Sequence, residues 1–309
     1  MNGKRRTDLY FTNIFLTKKT LGFYLEKKVC TKERRKEEEI TTFMPIEDYF
    51  FERRLNTGGV SNVYRCKDKE THEERAVKII DITQHDPKWW NKEIQVLSSL
   101  QYVRGVVKMY EFGQYICQES KHTMGYIIME LCGTDLRDHP LSETEKPRFI
   151  QFILRTLYLV HVSGWVLCDL KLENIVRMHH GFRIVDMGAC QHINKSTRHF
   201  VGTDHILAPE VIYAMHHHQP IKYTEKIDIW NLGCILFEIY AQETPFGNRA
   251  SIRNTHKLHH NILTKRVQIE KIPVVSMRRF IQQMLHKNPL RRPSLMDMVK
   301  MFHEIYGDN

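Results

Sequence analysis

The 309-residue sequence predicts an α+β chain of two lobes: an N-terminal antiparallel β lobe with one main helix, and a larger, mainly helical C-terminal lobe. Three observations carry this expectation. Between residues 49 and 131 the chain runs in short stretches of β-branched and aromatic residues, broken by turn formers and by a single segment of helical periodicity. Beyond Gly133 apolar residues recur at spacings of three and four for most of the chain. The composition, 42% hydrophobic and 27% charged, suits a packed soluble domain and excludes a disordered or collagen-like chain. No run approaches the roughly 18 uninterrupted apolar residues of a membrane span, so no membrane partner is expected.

Taken in order, residues 1–45 come first. They hold 11 Lys and Arg against 6 Asp and Glu, a charge of +5 and half of the chain's formal +10. Interrupted charge runs such as Lys32-Glu33-Arg34-Arg35-Lys36 read as a solvated, partly helical extension, with nuclear import or nucleic-acid contact as the alternative. A secretory signal fails, because residues 9–16 are only partly apolar and lack a small-residue cleavage site. The expected division is a basic extension, 1–45, and a folded domain, 46–309, whose lobes meet near residues 131 and 132. The seven cysteines form no C-x-x-C pair, which suits reduced thiols in the cytoplasm or nucleus and gives no support to structural zinc.

Strands are expected at 49–55, 62–68 and 74–80. A helix follows at 89–100, where Trp90, Ile94, Leu97 and Leu100 share one face. Two more strands are read at 106–115 and 125–131. In the second lobe the clearest helices are 144–163, 227–242, 277–286 and 294–305, the last started by Pro293-Ser294. Strand-like pieces at 175–178 and 182–185 flank the turn His179-His180-Gly181.

Several short motifs carry chemistry. Leu55-Asn56-Thr57-Gly58-Gly59-Val60-Ser61-Asn62-Val63 is a small-residue turn between two strands, whose backbone amides can approach phosphate oxygens. Alone, it also describes an ordinary hairpin. Lys78, a lone cation in the apolar strand Ala76-Val77-Lys78-Ile79, is costly to bury unless paired, and Glu93 on the next helix is a suitable partner. Asp169-Leu170-Lys171-Leu172-Glu173-Asn174 follows the helix that ends near Ser163, and Asp186-Met187-Gly188 comes 17 residues after Asp169. Two carboxylates and an amide beside a phosphate-binding turn suit Mg²⁺, a hard cation that works with substrate phosphates.

This ordered set resembles the eukaryotic protein kinase family over residues 48–305. Gly202-Thr203, Ala208-Pro209-Glu210, Asp228-Ile229-Trp230 and Asn288-Pro289-Leu290-Arg291-Arg292-Pro293 resemble its later motifs. The resemblance implies a bilobal protein-kinase-like fold and a catalytic domain at 46–309. It implies transfer of the γ-phosphoryl group of ATP, with Mg²⁺ or Mn²⁺, to Ser and Thr hydroxyls of proteins. Asp169 would orient the substrate hydroxyl and accept its proton, and Lys171 would steady the γ-phosphate. Thr203 would bridge the two, while Asn174 and Asp186 would hold the metal ions. Lys78, held by Glu93, would contact the α- and β-phosphates. Leu55, Gly58, Val63, Ala76, Glu130 and Cys132 would line the nucleotide site beside Met129, Asp135 would reach the ribose, and Glu210 and Arg292 would form a buried scaffold pair. Glu173 and Asp135 further suggest substrates with basic residues before the phosphoacceptor. Nucleic acid is not the expected partner, and residues 1–45 are a candidate docking segment.

The chain departs from the family pattern at Leu167-Cys168, where His-Arg usually precedes the catalytic Asp. Loss of that arginine removes the cation that receives a phosphorylated activation-loop residue, so activity is expected without phosphorylation of Ser196 or Thr197. Met187 and Leu167 are apolar substitutes in the column linking the lobes. Asn56 and Ser61 stand at glycine positions. The rival reading is a pseudokinase scaffold that binds nucleotide or protein without turnover. Blander readings are preferred elsewhere: His216-His217-His218 as a solvated loop, Cys168 and Cys190 as buried thiols, and Trp89-Trp90 as packing within the first lobe.

Overall fold

The computed structural model describes residues 46–57, 61–247 and 254–307. Residues 1–45 and Gly58 lie outside them. In the first lobe, β1 (Tyr49–Thr57), β2 (Ser61–Asp68), β3 (Glu74–Asp81), β4 (Met109–Ile116) and β5 (Thr123–Glu130) form an antiparallel sheet in the order β1-β2-β3-β5-β4. Strand β3 is central, with Lys78 opposite Val63 on one side and Ile127 on the other. Its side chains alternate between two apolar surfaces. Val77 and Ile79 pack with Ile46, Tyr49, Cys66 and Ile128, while Ile80 joins the main core. That alternation turns Ala76, Lys78 and Ile80 toward α1 (Pro87–Leu100) and the cleft. The Asp86 side chain accepts a hydrogen bond from the Lys88 amide and Pro87 occupies the first turn, two favourable N-terminal signals. Glu93 is the one acid on the buried face of α1, among Trp90, Ile94, Leu97 and Leu100.

The second lobe is built from α2 (Glu145–Val162), α3 (Pro209–His216), α4 (Lys226–Ala241), α5 (Thr255–Thr264), α6 (Val275–Met284) and α7 (Leu295–Tyr306). Helix α4 is apolar nearly all round and buried at every position from Ile227 to Phe237, as a central helix must be. Ser294 and Asp297 close a reciprocal capping box at the start of α7. Between α2 and α3 lie β6 (Trp165–Val166) paired with β9 (Gln191–His192), the hairpin of β7 (Ile175–Met178) and β8 (Gly181–Ile184), and β10 (Ser196–Thr197), which pairs with β11 (Ile221–Lys222).

The expected α+β class and two-lobed organisation hold. One strand is shifted: the segment expected at 106–115 begins its ladder at Met109, because Val106 instead bridges in parallel to Ile184 of the hairpin. Among the described residues no helix is long and apolar enough to cross a membrane.

Candidate active site

Lys78 and Glu93 meet under the sheet. Lys78 Nζ donates to Glu93 Oε1 at 2.6 Å and Oε2 at 2.8 Å, and to Asp186 Oδ1 at 3.0 Å. Lys78 is 8% exposed and Glu93 3%, so neither is well served by water. Burial opposes the Lys78 ammonium, but the Asp186 and Glu93 carboxylates outweigh it and hold its pKa above the usual lysine range. The same ammonium lowers the Asp186 carboxyl, while burial raises Glu93 despite the attraction of Lys78. Asp186 is the member of the trio that opens to solvent. It sits in the left-handed backbone region, φ 65°, a conformation that an Asp tolerates better than most side chains.

The loop carrying Asp169 is fastened from below. Asp228, fully buried on α4, accepts hydrogen bonds from the amides of Leu167 and Cys168, both at 2.9 Å, and its Oδ2 lies 2.8 Å from His161 Nε2. Cys168 is held at φ 68°, a strained backbone for a residue with a side chain. Immediately after it, Lys171 Nζ donates to Asp169 Oδ2 at 2.8 Å and to Thr203 Oγ1 at 2.7 Å. Asn174 Nδ2 donates to the Asp169 carbonyl at 3.0 Å. The second carboxylate oxygen, Asp169 Oδ1, is buried and finds no hydrogen-bond partner among the described residues. An acceptor left over in this way calls for a ligand or a functional reason.

Residues 196–201 are held by backbone pairing and a neutral hydroxyl. Ser196 and Thr197 pair with Lys222 and Ile221 across β10 and β11. The hydroxyl of the buried Tyr223 donates to the His199 carbonyl at 3.1 Å and accepts from the Val201 amide at 3.3 Å. Gly202 has φ 118°, and a Cβ there would lie 2.9 Å from Leu207 Cδ2 and 3.1 Å from the Cys168 carbonyl, so a larger residue would part the two loops. Below, Arg292, 2% exposed, makes two parallel bonds to Glu210 at 2.8 and 2.7 Å. The tryptophan pair divides its work. Trp90 packs within the lobe against Phe112, whereas Trp89, 44% exposed, lies against His199 with ring centroids 5.4 Å apart.

Sequence-predicted residues of the nucleotide site are less uniformly placed. Ala76 is buried opposite Met129, Val63 lies across from Lys78, and Leu55 is exposed near the end of β1. The side chain of Glu130 points to Lys108 and Arg183, accepting from the Lys108 amide and from Arg183 Nε, both at 2.8 Å. Cys132 Sγ lies 3.7 Å from the Glu130 carbonyl, and burial pushes its thiol up to about 12. Asp135 Oδ1 is engaged by the amides of Arg137 and Asp138 at 2.9 and 3.0 Å, so it stabilises its own turn. Leu167 and Met187 join the core as expected. Burial pushes the Cys168 and Cys190 thiols well above their usual range, which suits inert groups. Among the described residues no three His, Cys, Asp or Glu are grouped to hold a metal ion. Asp228, His161, Arg137 and His205 were assigned no role by sequence. Asp228 alone carried a signal, as a charge in an otherwise apolar helical run.

Comparison with known proteins agrees with this geometry. The chain is 28% identical over 260 residues to serine/threonine-protein kinase TAO3 of Mus musculus, covering 80% of this chain and 27% of the relative. It is 26% identical over 272 residues to dual specificity protein kinase Ttk of Danio rerio, covering 82% and 27%, and 26% identical over 265 residues to serine/threonine-protein kinase PLK4 of the same fish, covering 81% and 26%. The chain thus spans about a quarter of the length of these curated relatives. The protein kinase domain family matches residues 49–303, most of the chain, and with the lysine, carboxylates and loop arrangement above, the protein belongs to that family.

Proposed function

We propose that the chain is a serine/threonine protein kinase that transfers the γ-phosphoryl group of ATP to protein hydroxyls. The observation that carries this reading is the arrangement at Asp169: one carboxylate oxygen is tied to Lys171, which also binds Thr203, and the other is a buried acceptor without a partner among the described residues. A substrate hydroxyl placed there gives its proton to Oδ1 as the oxygen becomes nucleophilic. Lys171 offsets charge on the transferring group and fixes the carboxylate. Lys78, aligned by Glu93, binds phosphate oxygens. The carboxylate of Asp186 and the side-chain carbonyl of Asn174 are hard oxygen donors that fit Mg²⁺ or Mn²⁺. When bound, such an ion neutralises phosphate charge. Purified full-length protein incubated with labelled ATP and peptide libraries is expected to label Ser and Thr but not Tyr, and only with a divalent cation. No labelling in Mg²⁺ or Mn²⁺ would sink this reading.

Activity without activation-loop phosphorylation belongs to the same reading. Cys168 offers no cation for a phosphate, and the β10–β11 pairing and Tyr223 order the segment by uncharged contacts. Phosphatase-treated Ser196→Ala/Thr197→Ala protein is expected to keep its rate within about threefold, the scale of surface substitutions. A fall to background would overturn it. In this reading 46–309 is the catalytic domain and the basic segment 1–45 is a docking or targeting extension of a cytoplasmic or nuclear enzyme. Deleting 1–45 and following location and transfer separately tests that division. The basic-residue preference suggested by Glu173 meets a competing contact, because Arg137 Nε lies 2.9 Å from Glu173 Oε1.

A further inference from the structure

The buried run of α4 from Ile227 to Phe237 holds one carboxylate, Asp228, and one amide, Asn231, both with zero exposure. Three residues apart on a helix, they share a face one turn from each other. Asp228 ties down the loop before Asp169 through the amides of Leu167 and Cys168. Asn231 ties down the loop opposite: its Nδ2 donates to the Ile206 carbonyl at 2.7 Å. The Ile206 amide donates to the Thr203 carbonyl at 3.0 Å, which closes the turn 203–206. The Thr203 hydroxyl accepts from Lys171 Nζ, and Lys171 also donates to Asp169 Oδ2. A series of hydrogen bonds thus runs from Asn231 through the turn and Lys171 to the Asp169 carboxylate, whose loop returns to the same helix at Asp228.

Packing alone does not account for the amide. Asn231 Oδ1 is buried and finds no hydrogen-bond partner among the described residues, an unfavourable state for an acceptor, so what the side chain contributes is its donor. Its orientation is fixed as well, because the Ile206 carbonyl can only accept. Beside the turn, a Cβ on Gly202 would lie 3.1 Å from the Cys168 carbonyl, so the two loops are pressed together with little room to absorb a shift. We propose that Asn231 is a positioning residue for phosphoryl transfer: it sets, from beneath, the place of the turn 203–206 and hence where Thr203 holds Lys171 against Asp169. The inference rests on the kinase reading above. With zero exposure Asn231 touches neither nucleotide nor peptide and acts through the Ile206 carbonyl.

The test measures peptide turnover and nucleotide affinity for full-length wild type, Asn231→Leu and Asn231→Asp, at temperatures where each is folded. Leucine keeps nearly the same volume and removes the donor. Its turnover is expected to fall about tenfold, the scale of one buried hydrogen bond, with nucleotide affinity unchanged because Lys78 and Glu93 lie outside the series. Aspartate supplies a readout that a purely structural role would not move. Burial and the neighbouring Asp228 carboxylate both favour its neutral form, which has the shape of the amide and an O–H to give the Ile206 carbonyl. Relative to wild type at the same pH, Asn231→Asp is therefore expected to turn over within about threefold near pH 6 and to fall about tenfold or more by pH 8.5, as the ionised carboxylate comes to oppose the carbonyl. Should the leucine variant not fold, the acid-side recovery of Asn231→Asp carries the test. Turnover of Asn231→Leu within about threefold of wild type, an equal loss of nucleotide affinity, or an Asn231→Asp ratio that is flat with pH overturns the inference alone. Absence of transfer by wild type to every peptide overturns the kinase reading and the inference with it.

Discussion

Asp169→Asn is expected to lower the rate of phosphoryl transfer by about 10²- to 10⁴-fold, the range of a positioned general base. The amide has nearly the shape of the carboxylate, so packing around the loop is kept. Its electronic pattern is not. Lys171 Nζ, 2.8 Å from Oδ2, requires an acceptor and so selects the amide oxygen for that position. The NH₂ group must then occupy the place of Oδ1, the buried acceptor that faces the site. A group that took a proton becomes one that presents two. Nucleotide affinity should change little, because the ammonium proposed to meet phosphate is Lys78, which pairs with Glu93 and Asp186 rather than with Asp169. Turnover with the best peptide and nucleotide binding by calorimetry separate the two effects. A loss in turnover below about tenfold, or an equal loss in nucleotide affinity, would remove Asp169 from its proposed role.

Much of the fold and several site contacts were legible because they obey local rules. A lysine in an apolar strand needs a buried partner, and Glu93 on the inward face of the next helix met that need. The β strands followed their residue types, and α4 followed the helical spacing of apolar residues read at 227–242. Other elements lacked such signals. Helix α5 is rich in His and polar residues with only a narrow apolar stripe at Leu258 and Ile262, and α3 is eight residues long. The two-residue strands β6, β9, β10 and β11 are too short to have a period. Arg137 was hidden for a different reason. It lies on a partly exposed turn, and its contact with Glu238 joins residues 101 apart, a pairing that no local spacing encodes. Glu173 and Asp135 were read as acids awaiting a substrate, whereas one is engaged by Arg137 and the other by turn amides.

The uncharged contacts at residues 196–201 give Trp89 a consequence for α1. The helix that presents Glu93 to Lys78 touches those residues at its first turn through Trp89 and His199, and meets the chain just after Asp186 where Lys92 Nζ lies 3.4 Å from the Gly188 carbonyl. An aromatic contact and a hydrogen bond thus join the positions of Glu93, Asp186 and the peptide-side loop. Such contacts are available as soon as the chain folds, which is the physical basis for expecting activity without a phosphate. The scaffold beneath must then be rigid in its own right, and its principal fastening is a single carboxylate.

Asp228→Ala should therefore cost about 3–5 kcal/mol of stability, near the upper end for one substitution, because it leaves two or three buried donors without an acceptor. The amides of Leu167 and Cys168 lose their 2.9 Å bonds, and His161 Nε2 loses its neighbour. Asp228 has zero exposure, so bulk solvent does not contact these donors. The strain at Cys168, φ 68°, persists only while the surroundings impose it, so removing Asp228 lets the residue before Asp169 relax toward an ordinary backbone. Turnover should consequently fall by more than the loss of folded protein explains. Asp228→Asn separates the two effects, since one amide oxygen still accepts while the NH₂ group opposes another donor. Its stability loss should be smaller than that of the alanine variant, yet its turnover should still drop at temperatures where it is fully folded. Denaturant unfolding with parallel kinetics on the folded fraction measures both. An alanine variant within about 1 kcal/mol of wild type, or an asparagine variant with unchanged turnover, would mean that the catalytic loop keeps its shape by local preference rather than by the anchor beneath it.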